Sequence, residues 1–227
     1  RVITTSGSSK TVRLPDGMHA WCFPFQDRLV VGKAGTAVLC SENVAKLSSR
    51  PHNWFAGPHT LYWVDLRTRA ASKLLTVPGR VMDICPSPRG SWLAVCDHES
   101  GSCAYRITLW RQNGGTTLRP FVYQRRAFIR FIGGSPDDRY LYFVQAENVE
   151  INILSLDART GRTEKLRTLP PETLSYSVTM DTVCGRMAWC RSTEGGMPQV
   201  EISSLSGNQP RQIQMQAGGT AYWAFFS

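Results

Sequence analysis

The side chains in this 227-residue chain that could do chemistry are four histidines, seven cysteines and several arginine clusters. His19, His52, His59 and His98 lack metal-ligand spacing, and there is no C-x-x-C pair, so neither a metal nor a structural zinc is expected. The string "GGSPD" at 133–137 comes nearest to a nucleophile elbow. It lacks the second glycine of G-x-S-x-G and reads more simply as a turn. No catalytic residue and no cofactor is therefore signalled, and the balance leans away from an enzyme.

Three other groups invite a binding or redox role. His52, Asn53, Trp54, Phe55 and His59 lie in a Pro/Gly-punctuated loop, where a rigid scaffold would present contacts. The plainer reading is an insertion that covers a sheet edge. Cys96 and Cys103 flank "DHESGS" and are a candidate hairpin disulfide, with Cys184 and Cys190 a second pair. Such bridges would suit an oxidising compartment, although the odd cysteine count weighs against this. The alternative makes Cys22, Cys85, Cys96 and Cys190 small core residues. The net charge is +9, and Arg67, Arg69, Arg125, Arg126, Arg159 and Arg162 are a candidate polyanion patch set against a plain solvated rim. Phe128 and Phe131, among these cations, read as core residues of a strand.

The elements that must hold these residues are strands. Hydrophobic residues make up 42% of the chain and charged residues only 19%, which excludes disorder. No apolar run is long enough to span a membrane. Short β-branched and aromatic runs such as "RYLYFV" (139–144), "SWLAVC" (91–96), "RLVVG" (28–32) and "RMAWC" (186–190) each follow a turn signal. The best candidate for a helical turn is "ENVAKLSS" at 42–49.

Self-comparison organises these runs. "DLRTRAASKLLTVP" (65–78) and "DARTGRTEKLRTLP" (157–170) share 7 of 14 residues without a gap, at an offset of 92, or two periods of 46. The middle copy falls near 110–124. Repeats at 17–79, 80–124, 126–170 and 174–217 each read as four strands. In the first, "RLVVG" is strand two. In the second, 116–123 is strand four, and in the fourth, 175–180 is strand one. A period in the forties with four strands predicts an all-β chain of β-propeller blades, about four of them plus flanking strands, as one domain. Residues 218–227 would be a closing strand or the first strand of a next blade, and 8–15 the last strand of a preceding one. The chain starts without Met or a signal-like segment, which suggests a trimmed piece and an arc of a larger ring as one alternative.

"GGSPDDRYLYFV" (133–144), followed by "INILSLDARTG" (151–161), resembles the WD40-like repeat of the TolB type. "PSPRGSWLAV" (86–95) is similar to it as well, with Arg89 where the family has Asp. The fourth repeat keeps only Gly185 and the first only Asp27. The resemblance implies a propeller used as a scaffold, a peptidase gate or a carbohydrate-binding domain. The expectation is a non-catalytic scaffold that binds another protein, in the periplasm or outside the cell, with the cytoplasm left open. The alternatives are the propeller part of a prolyl-oligopeptidase-like enzyme or sugar lyase, and a sensor domain of a bacterial regulator. In the "SPDD" turn, Asp137 and Asp138 are both expected to bond local backbone.

Overall fold

The structure is a computed structural model that describes residues 2–3, 9–10, 18–20, 36–41, 59–65, 68, 70–98, 104–111, 122–192, 199–205 and 210–213. Eighteen strands account for most of them. The one helical element among the described residues is a single 3-10 turn at Ser175–Ser177. Two short strands, β1 (Val2–Ile3) and β2 (Ser9–Lys10), pair with each other. The other sixteen strands form four antiparallel four-stranded sheets whose members pair in chain order. Blade 1 is β3 (Met18–Ala20), β4 (Thr36–Ser41), β5 (His59–Asp65) and β6 (Ala71–Val77). Blade 2 is β7 (Arg80–Pro86), β8 (Trp92–His98), β9 (Tyr105–Arg111) and β10 (Val122–Arg125). Blade 3 is β11 (Phe128–Gly134), β12 (Tyr140–Glu147), β13 (Glu150–Asp157) and β14 (Thr163–Leu169). Blade 4 is β15 (Thr179–Asp181), β16 (Arg186–Arg191), β17 (Gln199–Ser204) and β18 (Arg211–Ile213). The backbone divides into two compact units, one holding blade 1 (Arg1–Val81) and one built from blades 2 to 4 (mainly Met82–His98 and Ser102–Ser227).

The sequence repeat is repeated in geometry. In blade 1 the Thr68 amide donates to Asp65 Oδ1 at 2.9 Å and the Ala70 amide to Thr68 Oγ1 at 3.3 Å. In blade 3 the Thr160 amide donates to Asp157 Oδ1 at 3.0 Å and the Arg162 amide to Thr160 Oγ1 at 3.3 Å. A β-bulge also recurs. Leu61 faces Leu75 while Tyr62 faces Lys73, and Ile153 faces Arg167 while Leu154 faces Lys165. The extra residues are Leu74 and Leu166, an identical pair in the repeat. A bulge twists the outer strand locally, so the shared leucine marks a shared bend.

Three boundaries differ from the sequence expectation. Strand two of blade 1 is Thr36–Ser41, not 28–32, because it must lie in register between β3 and β5, with Leu39 opposite both Ala20 and Tyr62. Strand four of blade 2 runs to Arg125, past the predicted end at Tyr123. In blade 4, Ser175–Ser177 coil before strand one begins at Thr179. The Ser177 hydroxyl donates to the Leu174 carbonyl at 2.7 Å and accepts the Cys190 amide at 2.8 Å, which stabilises that turn. Residues 28–32, 42–49, 112–121 and 218–227 lie outside the described residues.

Alternation sends successive residues of each strand to opposite faces, so blade 3 supplies apolar surface to both neighbours. Leu141, Phe143, Leu154 and Leu156 pack with Trp92, Ala94, Cys96, Ile107 and Leu109 of blade 2. Val144, Ile151, Ile153 and Leu169 pack with Val178, Met180, Met187 and Trp189 of blade 4. Burying each large side chain here stabilises the fold by about 1.5–3 kcal/mol. Phe131 belongs to the first cluster, as the core reading of "FIRFI" required.

Candidate functional site

Each blade has an end carrying turn 1 (strands one to two) and turn 3 (strands three to four). The opposite end carries turn 2 and the link to the next blade. In blades 2 to 4 the odd-turn end carries Asp137, Asp138, Asp157 and Asp181, and its chemistry starts from two Ser-Pro turns. In blade 2 the Ser87 amide donates to the Trp92 carbonyl and Ser87 Oγ accepts the Trp92 amide at 3.1 Å. In blade 3 the Ser135 amide donates to the Tyr140 carbonyl and Ser135 Oγ accepts the Tyr140 amide at 2.8 Å. Gly90 and Asp138 take the same place in the two turns, both left-handed, with φ of 79° and 59°. Asp is among the few side chains that tolerate this region.

The two aspartates of the blade 3 turn do different things. Asp137 behaves as expected: Oδ1 accepts the Ser135 hydroxyl at 2.5 Å and the Arg139 amide at 3.1 Å. Asp138 does not bond its own turn through its side chain. Its carboxylate crosses to blade 2, where Oδ1 accepts the Arg89 amide at 2.9 Å. Oδ2 accepts the Ser87 hydroxyl at 2.8 Å, the Ser91 hydroxyl at 2.7 Å and the Ser91 amide at 3.1 Å. The Trp92 indole N–H donates to the Asp138 carbonyl at 2.6 Å. Burial opposes the Asp138 charge, but the hydrogen bonds from Ser91, Arg89 and Ser87 outweigh it and hold the carboxyl below its usual value. The backbones approach closely here. A Cβ on Gly134 would stand 2.8 Å from Pro88 Cδ and 3.0 Å from the Trp92 ring.

The remaining carboxylates on this end are also committed. Asp157 Oδ1 accepts the Arg159 and Thr160 amides at 2.8 and 3.0 Å, and Oδ2 pairs with Arg139 Nε at 3.1 Å, joining turns 1 and 3 of blade 3. Burial works against its charge, and these donors together still lower its pKa. Asp181 Oδ1 accepts the Cys184 and Val183 amides at 3.0 and 3.1 Å, and Arg186 pairs with Oδ2 at 3.1 Å. The Cys184 amide first, then Arg186, bring its pKa down to about 2. Arg89, Arg159 and Arg162 are exposed and make no ion pair among the described residues.

Among the described candidates of blades 2 and 3, the arginines fall into two groups. Arg159 and Arg162 sit in turn 3 of blade 3, at the odd-turn end. Arg125 and Arg126 lie at the link from β10 to β11, at the opposite end, because three strands, an odd number of crossings, separate that link from turn 3 of blade 3. Arg67, Arg69, His52, Asn53, Trp54, Phe55 and Cys103 lie outside the described residues, and His59 opens β5. Cys96 faces Ile107 across β8 and β9, and Cys96, Cys184 and Cys190 are free thiols, while Cys103, the candidate hairpin partner of Cys96, lies outside the described residues. Burial pushes the Cys96 and Cys190 thiols up, so neither is a ready nucleophile. Among the described residues no group of three or more His, Cys, Asp or Glu could hold a metal. No described helix is long and apolar enough to cross a membrane.

No protein-family model matches the chain, and no curated protein matches it by sequence. Solved structures do. TolB from Acinetobacter baumannii aligns with a TM-score of 0.57 at 13% identity, over 81% of this chain and 41% of that one. The fold is that of TolB-like β-propellers. An oligogalacturonate lyase solved with manganese aligns with a TM-score of 0.68 at 15% identity, over 94% of this chain and 57% of the lyase. The β-propeller domain of the Trilobed protease from Pyrococcus furiosus aligns at 0.55 and 12% identity, over 82% and 58%. The chain thus spans about half the length of these structures. These similar structures include a lyase and a protease domain alongside TolB, so the fold leaves the activity to the residues.

Sequence reasoning passed over the side chains that tie this propeller's blades together. Asp83 in β7 accepts the Phe131 amide of β11 at 2.7 Å. Arg130 in β11 donates to the Tyr176 carbonyl and, at 3.1 Å, to the Val178 carbonyl. The available signal was a charge inside each apolar inner strand, "RVMDIC" and "FIRFI". A buried charge needs a partner, and here the partner lies in the next blade.

Proposed function

We propose that the chain is a non-catalytic propeller scaffold that binds another protein through the odd-turn end of blades 2 to 4. The observation that carries this reading is the division of labour at that end. Asp137, Asp138, Asp157 and Asp181 hold turns or join blades, while the guanidinium groups of Arg89, Arg159 and Arg162 face solvent. A carboxylate already saturated by backbone amides is a poor general base. Arginine on a rigid turn is a good anchor for an acidic partner surface. A polyanion would use the same arginines, but without Arg125 and Arg126, which weakens that alternative. The test is affinity capture with the tagged chain. A stoichiometric complex is expected, and Arg89→Glu, Arg159→Glu and Arg162→Glu combined should abolish it. Capture that survives the triple change would refute this end as the interface, and turnover of a peptide or sugar by the chain alone would refute the non-catalytic role.

The second reading, the propeller portion of a larger enzyme, draws on the lyase and the protease among the similar structures and on the half-length coverage. The full-length gene product separates the two: a G-x-S-x-G followed by Asp and His would favour the enzyme. A periplasmic or extracellular location draws on the TolB-type resemblance. Cell fractionation tests it.

A further inference from the structure

Blade 3 closes its first turn with its own carboxylate, and blade 2 has none to use. Asp137 Oδ1 takes the Ser135 hydroxyl at 2.5 Å and the Arg139 amide at 3.1 Å. In blade 2 the matching donors are the Ser87 hydroxyl and the Ser91 amide, and the residue matching Asp137 is Arg89, which cannot accept a hydrogen bond. Both donors are nevertheless satisfied, at 2.8 and 3.1 Å, by one oxygen, Asp138 Oδ2. Asp138 can reach them because it stands in the left-handed position that Gly90 fills in blade 2. We infer that Asp138 supplies in trans the turn carboxylate that blade 2 lacks at Arg89, and that this transfer latches the first turns of blades 2 and 3 together.

The latch has a second point of closure that does not depend on the carboxylate. The Trp92 indole bonds the Asp138 backbone carbonyl, so removing the side chain leaves one tie in place. Glycine suits the φ of 59° at Asp138, which makes Asp138→Gly a clean removal of the carboxylate without backbone strain.

Amide hydrogen exchange on the whole chain tests the inference. In Asp138→Gly the Ser91 and Arg89 amides should exchange about tenfold faster or more, the scale of a lost hydrogen bond to a charged acceptor, while amides of the β13–β14 hairpin keep their rates. Restoring a local carboxylate in Arg89→Asp with Asp138→Gly should return protection to the Ser91 amide. Arg89→Asp alone should destabilise, because two carboxylates then crowd one set of donors. If Asp138→Gly fails to fold, Asp138→Asn is the substitute: its amide nitrogen cannot accept, so either Arg89 or Ser91 must lose its partner and exchange faster. Unchanged exchange at both amides overturns the latch. A double variant no better protected at Ser91 than Asp138→Gly overturns the equivalence of the two carboxylates.

Discussion

Blade 3 meets its two neighbours through seams of similar apolar content and opposite polar design. Toward blade 2 the seam is closed by anions. Asp138 accepts four hydrogen bonds from the blade 2 turn, and Asp83 of blade 2 accepts the Phe131 amide. Toward blade 4 it is closed by cations. Arg130 donates to the Tyr176 and Val178 carbonyls, and Arg167 donates to Ser203 Oγ at 2.8 Å while lying over the Trp189 ring at 5.3 Å. Separate sheets cannot ladder to one another, so long or acidic side chains must satisfy polar atoms across each seam. The difference teaches that one seam is protonatable in the acid range and the other is not, since arginine stays charged at any working pH.

The comparison is broken most severely by removing apolar contact. Phe143→Ala, at a fully buried position facing blade 2, should cost about 3–5 kcal/mol in urea unfolding. A loss below 1 kcal/mol would show that the anionic contacts, and not the apolar core, carry that seam. Next is Gly134→Ala, whose Cβ would meet the Pro88 ring at 2.8 Å and should cost about 1–3 kcal/mol by overpacking. An unchanged melting temperature would mean the blades can move apart freely.

A smaller effect sharpens the difference in charge. Asp138 has a folded pKa below the ordinary 3.8, so its contribution is fully present above about pH 4 and is lost as pH falls through the folded value. Asp138→Asn should therefore flatten part of the fall in melting temperature below pH 4. Arg130→Gln should lower the melting temperature at every pH and leave the slope alone. Equal slopes for the wild type and Asp138→Asn would count against an ionised latch. The mildest probe is thiol labelling of the native chain. Exposed Cys184 should react with a maleimide well before buried Cys96 and Cys190, which wait for unfolding. Early labelling of Cys96 would show that the blade 2–3 core opens.

Local periodicity, by itself, determined the all-β class, the four-strand unit and the Asp65 and Asp157 turns. Each of these depends on residues close in sequence: alternation within a strand, Pro at a turn, an Asp accepting amides two and three positions on. That is why the 65–78 and 157–170 segments share even their bulge. The role of Asp137 was legible for the same reason. Only the tertiary structure decided what Asp138 does, because its acceptors serve donors some 47–51 positions away on another sheet. It also decided that Cys96 faces Ile107 and that Arg125 and Arg159 stand at opposite ends of their sheets. Register and the packing of one sheet on the next set those relations, and neither leaves a mark in the spacing of neighbouring residues.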